Sequence, residues 1–185
     1  MNRLIIVEGM DNTGKSTLIQ ELIRTVGRGT LAAKVSLGPF KSSLEQLKWT
    51  YNQIKKAEEG KDLIIYDRFL PICDIVYGTV LRDNKTIWTL DSAELKALRE
   101  VNPLIIFCNP GIEKILETMD EREQLEGVPE NARVLLAMYK SVIYELESLG
   151  FEVHYYDYTC EASKQDIYGT VANLVKNFND IKGGN

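Results

Sequence analysis

No cluster of lysine or arginine interrupts this chain of 185 residues, whose 22 basic and 27 acidic side chains leave a formal net charge of −5. A nucleic-acid partner normally leaves a basic patch in the sequence, so this absence disfavours DNA as a ligand. Cysteine and histidine are scarce: Cys73, Cys108 and Cys160 lie far apart, and His154 stands alone. Dispersed thiols in odd number fit neither a disulfide framework nor a zinc site, and read as reduced, buried side chains. No apolar run approaches the roughly 18 residues of a membrane span. Met1-Asn2-Arg3 leads directly into an apolar run, leaving no length for a signal peptide. These absences set the expectation of a cytoplasmic protein without a membrane partner. A composition 44% hydrophobic and 26% charged, over this length, suits one globular domain with a full core.

What is present is concentrated first in Glu8-Gly9-Met10-Asp11-Asn12-Thr13-Gly14-Lys15-Ser16-Thr17. The stretch contains G-x-x-x-x-G-K-[ST], with the strand-like run Leu4-Ile5-Ile6-Val7 before it and a helical pattern from Leu18 after it. That strand–loop–helix context is what a phosphate-binding loop requires. Gly9 and Gly14 let the backbone wrap a phosphate, and the amides of the loop through Thr17 attract its charge. Lys15 supplies a point charge to the β- and γ-phosphates, and the Ser16 hydroxyl is suited to Mg²⁺. ATP and Mg²⁺ are the expected co-substrate and cofactor.

Along the rest of the chain, strand-length apolar runs alternate with helical patterns. Strands are expected over Arg3–Val7, Leu31–Leu37, Asp62–Asp67, Leu104–Cys108 and Phe151–Tyr156. Helices are expected over Lys15–Val26, Leu44–Glu59, Ile72–Leu81, Gly111–Thr118 and Ser163–Phe178, with a frayed tail over Ile181–Asn185. Asp91-Ser92-Ala93-Glu94 reads as a capping box opening a helix to Val101, and Pro129-Glu130 opens a long helix through Leu149. The reading is an α/β fold: a five-stranded parallel sheet with helices on both faces. Ligands in such folds sit beyond the C-terminal strand ends.

Two further candidates lie at those ends. In Asp67-Arg68-Phe69, after the third strand, a carboxylate can hold Mg²⁺ or its waters, and an arginine can grip a second phosphate through two hydrogen bonds. Asp11, a carboxylate amid phosphate-binding amides, would repel phosphate unless it faces elsewhere, toward an acceptor or the arginine that positions it. His154, Trp88 and the cluster Tyr155, Tyr156 and Tyr158 read instead as packing or rim residues.

The run Glu8-Gly9-x-Asp11-x-x-Gly14-Lys15-Ser16-Thr17, together with Asp67-Arg68-Phe69 and the order of segments, resembles thymidylate kinase. The resemblance implies a P-loop deoxynucleoside monophosphate kinase, with Asp11 near the acceptor and Asp67 and Arg68 serving the metal and the acceptor phosphate. It also implies a lid over about residues 119–128, with Arg122 as its arginine and Arg133 as a second candidate, and a homodimer. The chain departs from that family after the second strand, which ends in Ser36-Leu37-Gly38-Pro39-Phe40-Lys41. There Lys41 is the candidate substitute for a phosphate-binding arginine. Phe40, Trp49, Phe69 and Tyr77 are candidates to stack on a base.

The nature of the acceptor follows from charge. A monophosphate oxygen is already anionic and needs cations around it, whereas a hydroxyl is helped by a carboxylate base. No Asp or Glu occurs from Gly29 to Leu44, where nucleoside and polynucleotide kinases of similar fold place that base. The expectation is a kinase for a deoxynucleoside monophosphate, dTMP or a related and also a modified pyrimidine nucleotide. The alternatives are a P-loop kinase acting on a hydroxyl of a nucleoside or of DNA, with Asp11 or Asp67 as base, and a nucleotide-binding regulatory ATPase.

Overall fold

Leu4–Glu8 (β1), Leu63–Asp67 (β3) and Leu104–Cys108 (β4) are almost continuously apolar, and they form the centre of a parallel sheet. Ala32–Ser36 (β2) and Glu152–Tyr156 (β5) flank them in the order β2-β3-β1-β4-β5. The structure, a computed structural model, describes residues 4–26, 32–36, 40–59, 63–119 and 126–183. Connecting helices are Lys15–Val26 (α1), Ser43–Glu59 (α2), Leu70–Leu81 (α3), Ala93–Glu100 (α4), Ile112–Met119 (α5), Ala132–Ser148 (α6) and Glu161–Gly183 (α7).

Strand periodicity divides the core in two. Ile6, Tyr66 and Phe107 point to one face, where α3, α4 and α6 contribute Ile72, Leu98 and Tyr139. Val7, Ile65 and Ile106 point to the other, where α1 and α7 contribute Leu18 and Ile167. Truncating one of these fully buried aliphatic side chains to alanine costs about 2–5 kcal/mol. No helix among the described residues is long and apolar enough to cross a membrane.

Several boundaries differ from the expectations. Helix α3 begins at Leu70 rather than Ile72: Phe69 is extended at the cap, and Pro71 is tolerated in the first turn because no amide is needed there. At α4 the cap is Ser92, not Asp91; Ser92 Oγ accepts from Leu95 N–H at 3.3 Å, while Asp91 accepts from the Thr89 hydroxyl. Helix α6 begins at Ala132, because Gly127 is left-handed and Asn131 Nδ2 donates back to its carbonyl at 2.9 Å, holding residues 127–131 as a turn. Helix α7 starts at Glu161 and continues to Gly183, through positions expected to fray.

Candidate functional site

The phosphate loop leaves β1 at the middle of the sheet and passes over the end of β4. Gly9 adopts φ +139°, and a Cβ there would lie 2.7 Å from the Cys108 carbonyl and 2.8 Å from Thr13 Oγ1, so only glycine fits. Met10 is fully buried in the core and anchors the loop. Thr13 Oγ1 donates to the Met10 carbonyl at 2.9 Å, and Asn12 and Gly14 take positive φ. Lys15 Nζ donates to the same Met10 carbonyl at 2.5 Å. Burial and the nearby Arg68 guanidinium pull the Lys15 ammonium down to about 8, although Asp11 and Asp67 oppose them. An incoming polyphosphate would strengthen the preference for the charged form.

The turn after β3 is joined to β1 and this loop by four hydrogen bonds. Arg68 sits at φ +68°, a costly conformation for a non-glycine residue. Its N–H donates to the Val7 carbonyl at 3.0 Å, and Nε donates to the Gly9 carbonyl at 3.3 Å. One guanidinium nitrogen donates to Asp11 Oδ1 at 2.6 Å, and the Phe69 N–H donates to Glu8 Oε1 at 2.6 Å. The Tyr77 hydroxyl accepts from the same guanidinium at 3.3 Å and donates to Asp11 Oδ2 at 3.1 Å. Burial pushes the Asp11 carboxyl up, but Arg68, Lys15 and the hydrogen bonds from Arg68 and Tyr77 outweigh it and hold it below the ordinary aspartate value.

These groups border a cleft of about 620 Å³. Its floor is the loop from Asp11 to Thr17, and Asp67 and Arg68 stand at one side. Opposite them are Glu21 of α1, Thr118 of α5, Tyr156 and Tyr158 at the end of β5, and Lys164 and Tyr168 of α7. The Tyr158 ring lies against Gly14, where a Cβ would approach it to 2.8 Å. The Tyr168 hydroxyl donates to Glu21 and shares a hydrogen bond with the Tyr156 hydroxyl.

Other sequence candidates lie elsewhere. Phe69 is fully buried, its ring 5.7 Å from Tyr66 and 6.1 Å from Trp49, so it is a packing residue and not an open stacking surface. Phe40 packs edge-on against Trp49, and neither Phe40 nor Lys41 is among the described residues lining the cleft. The Lys41 N–H donates to Glu45 Oε2, as part of a cap in which Ser42 Oγ accepts the Glu45 amide. Arg133 pairs with Glu113 on the surface. Arg122 and most of the expected lid lie outside the described residues.

Tyr156 and Tyr158, read from sequence as packing or rim, line the cleft, as do Glu21, Lys164 and Tyr168. Only position could have marked them: Tyr156 ends the last strand, Tyr158 lies just beyond it, and Glu21 is one helical turn beyond Thr17.

No family model and no curated protein matches the chain. Solved structures do. The YorR protein of Bacillus subtilis, in complex with phosphorylated GDP, aligns with a TM-score of 0.64 and 20% identity over 94% of this chain and 95% of that one. Deoxyadenosine kinase from M. mycoides with bound dATP gives 0.57 and 18%, over 94% and 97%. Thymidylate kinase from Candida albicans gives 0.54 and 16%, over 94% and 93%. With the phosphate loop and the strand order β2-β3-β1-β4-β5, these alignments establish that the chain has the fold of P-loop nucleoside and nucleotide kinases.

Proposed function

We propose that the protein is an ATP-dependent kinase whose acceptor is a deoxynucleoside monophosphate. The observation that carries this reading is the Arg68 guanidinium, fixed by Asp11 and Tyr77 at the edge of the phosphate loop. A cation held at that place answers the repulsion between two phosphates, which is the main obstacle when the nucleophile is already anionic. The lack of any carboxylate from Gly29 to Leu44 favours the same acceptor over a hydroxyl.

The donor then lies along the loop. Lys15 reaches its β- and γ-phosphates, the amides from Asn12 to Thr17 cradle the rest, and its nucleoside extends toward Tyr158, Tyr168 and Glu21. Ser16 is exposed to the cleft and Asp67 borders it. Among the described residues no three His, Cys, Asp or Glu side chains gather into a metal cage. A hydroxyl and one carboxylate fit Mg²⁺, which is commonly held by one or two carboxylates, waters and substrate phosphates. When bound, the ion would neutralise charge on the phosphate oxygens; Ser16 and Asp67 would orient it, Lys15 would stabilise the migrating charge, and Arg68 would bind the acceptor phosphate.

The rival reading, a hydroxyl acceptor, draws on Asp11, an ionised carboxylate at the cleft that could take a proton. Incubation with labelled ATP and a panel of nucleosides, monophosphates and oligonucleotides separates the two. Label entering monophosphates supports the proposal; label entering only nucleosides or oligonucleotides rejects it.

A further inference from the structure

Glu8 is fully buried at the end of β1, under the phosphate loop, and the assignments above give it no part. A buried carboxylate is costly unless its bonds do something that a cheaper residue cannot. Oε1 takes the Phe69 N–H at 2.6 Å across 61 positions of sequence, whereas Oε2 is buried and, among the described residues, has no hydrogen-bond partner. Phe69 follows Arg68, whose left-handed backbone is held from the other side by the Val7 carbonyl at 3.0 Å. The Phe69 ring is packed on Trp49 and Tyr66, so the two residues of the turn cannot shift independently of the core. The backbone of the turn is therefore pinned at Arg68 N–H by β1 and at Phe69 N–H by Glu8. The guanidinium can then reach Gly9 and Asp11.

We infer that Glu8 is a positioning residue, acting through the Phe69 amide to hold Arg68 in its left-handed conformation against the phosphate loop and so to place the guanidinium for the acceptor. What the role needs is reach, not charge. An amide oxygen at the same distance serves equally, whereas a carboxylate drawn back by one carbon, about 1.5 Å, cannot bond the Phe69 N–H. The inference rests on the proposed function for its kinetic consequence only; the clamp on the turn stands apart from it.

The test compares Glu8→Gln, which keeps reach and loses charge, with Glu8→Asp, which keeps charge and loses reach, in the full chain. It uses the best acceptor of the wild-type panel, and hydrogen exchange of the Phe69 amide as a second readout. Positioning predicts that Glu8→Gln stays within about threefold of wild type. Glu8→Asp should lose about tenfold or more in acceptor kcat/KM with the ATP KM within about threefold, and its Phe69 amide should exchange about tenfold faster. Glu8→Asp matching or exceeding Glu8→Gln overturns the inference. So does equal loss toward ATP and acceptor, or a Glu8→Asp chain too unstable to assay, either of which makes Glu8 purely structural. A wild type that phosphorylates no acceptor rejects the proposed function instead, and Phe69 exchange then decides the clamp alone.

Discussion

Asp11 and Arg68, 57 positions apart in the chain, form an ion pair with 2.6 Å between oxygen and nitrogen, because β1 and β3 are neighbours with Val7 opposite Asp67. The pair binds the phosphate loop to the turn after β3 at the point where donor and acceptor would meet. Arg68→Ala removes the cation and leaves Asp11 with the Tyr77 hydroxyl. Acceptor kcat/KM should fall about 10²-fold or more, in the range found for removing one charge-stabilising donor, while the ATP KM changes little. Initial rates with each substrate varied in turn check this; an unchanged acceptor KM and kcat would remove Arg68 from the site.

Lys15→Ala deletes the one cation of the phosphate loop, which the proposed function assigns to the β- and γ-phosphates. Turnover should drop by about 10²-fold or more, and the rise in melting temperature on adding ATP should shrink. A variant that keeps most of its activity contradicts the assignment of the loop.

On the opposite side, Tyr158 packs on Gly14 and faces the proposed nucleoside end of the cleft. Tyr158→Ala should raise the ATP KM by about two- to tenfold, the scale of one lost aromatic contact, and leave the acceptor KM alone. Gly14→Ala should weaken ATP binding further, since its Cβ meets the Tyr158 ring at 2.8 Å and φ is +84°. The double variant should recover only the part due to the ring, because backbone strain remains. Titration of ATP by calorimetry across the three variants measures the split; full recovery would show that the left-handed loop costs nothing.

Glu8 also makes a prediction about pH. Burial pushes its carboxyl up to about 7 from 4.5, against the lowering influence of the Phe69 amide, Arg68, Lys15 and the Gly9 amide. The buried Tyr139 hydroxyl and Cys73 thiol are coupled to it, and both stay protonated through this range. The unfolded chain releases this proton near 4.5 and the folded one near 7, so the folded state binds more protons between them and loses stability as pH rises through that window. The loss attributable to Glu8 is about 3 kcal/mol at most. Urea unfolding of the nucleotide-free protein at stepped pH should show this decline in wild type and a flatter profile in Glu8→Gln. Parallel profiles would place the titration elsewhere.

Much of the fold was legible because the central strands carry Leu-Ile-Ile runs buried on both faces, and because the phosphate loop needs only local glycines and a lysine. Asp67 and Arg68 were legible by position, at a strand end next to the loop. Helix starts were less so. Asp91 and Ser92 both suit a cap, and only the backbone path selects Ser92. Phe69 looked available for stacking, but a residue at the start of α3 is turned inward by the same turn that turns Arg68 outward. Tyr156, Tyr158 and Tyr168 could not be separated from packing residues, since their use depends on β5 and α7 meeting α1 and α5 at the cleft. The use of Glu8 was hidden for the same reason: its partner amide comes from another strand's turn.

The most direct measurement is the transfer of label from γ-labelled ATP to a panel of nucleosides, deoxynucleoside monophosphates and oligonucleotides, run with wild type and Arg68→Ala. The account predicts labelled diphosphate from at least one deoxynucleoside monophosphate with wild type, falling about 10²-fold in the variant. Label appearing only in nucleosides or oligonucleotides, or only as free phosphate, would contradict it.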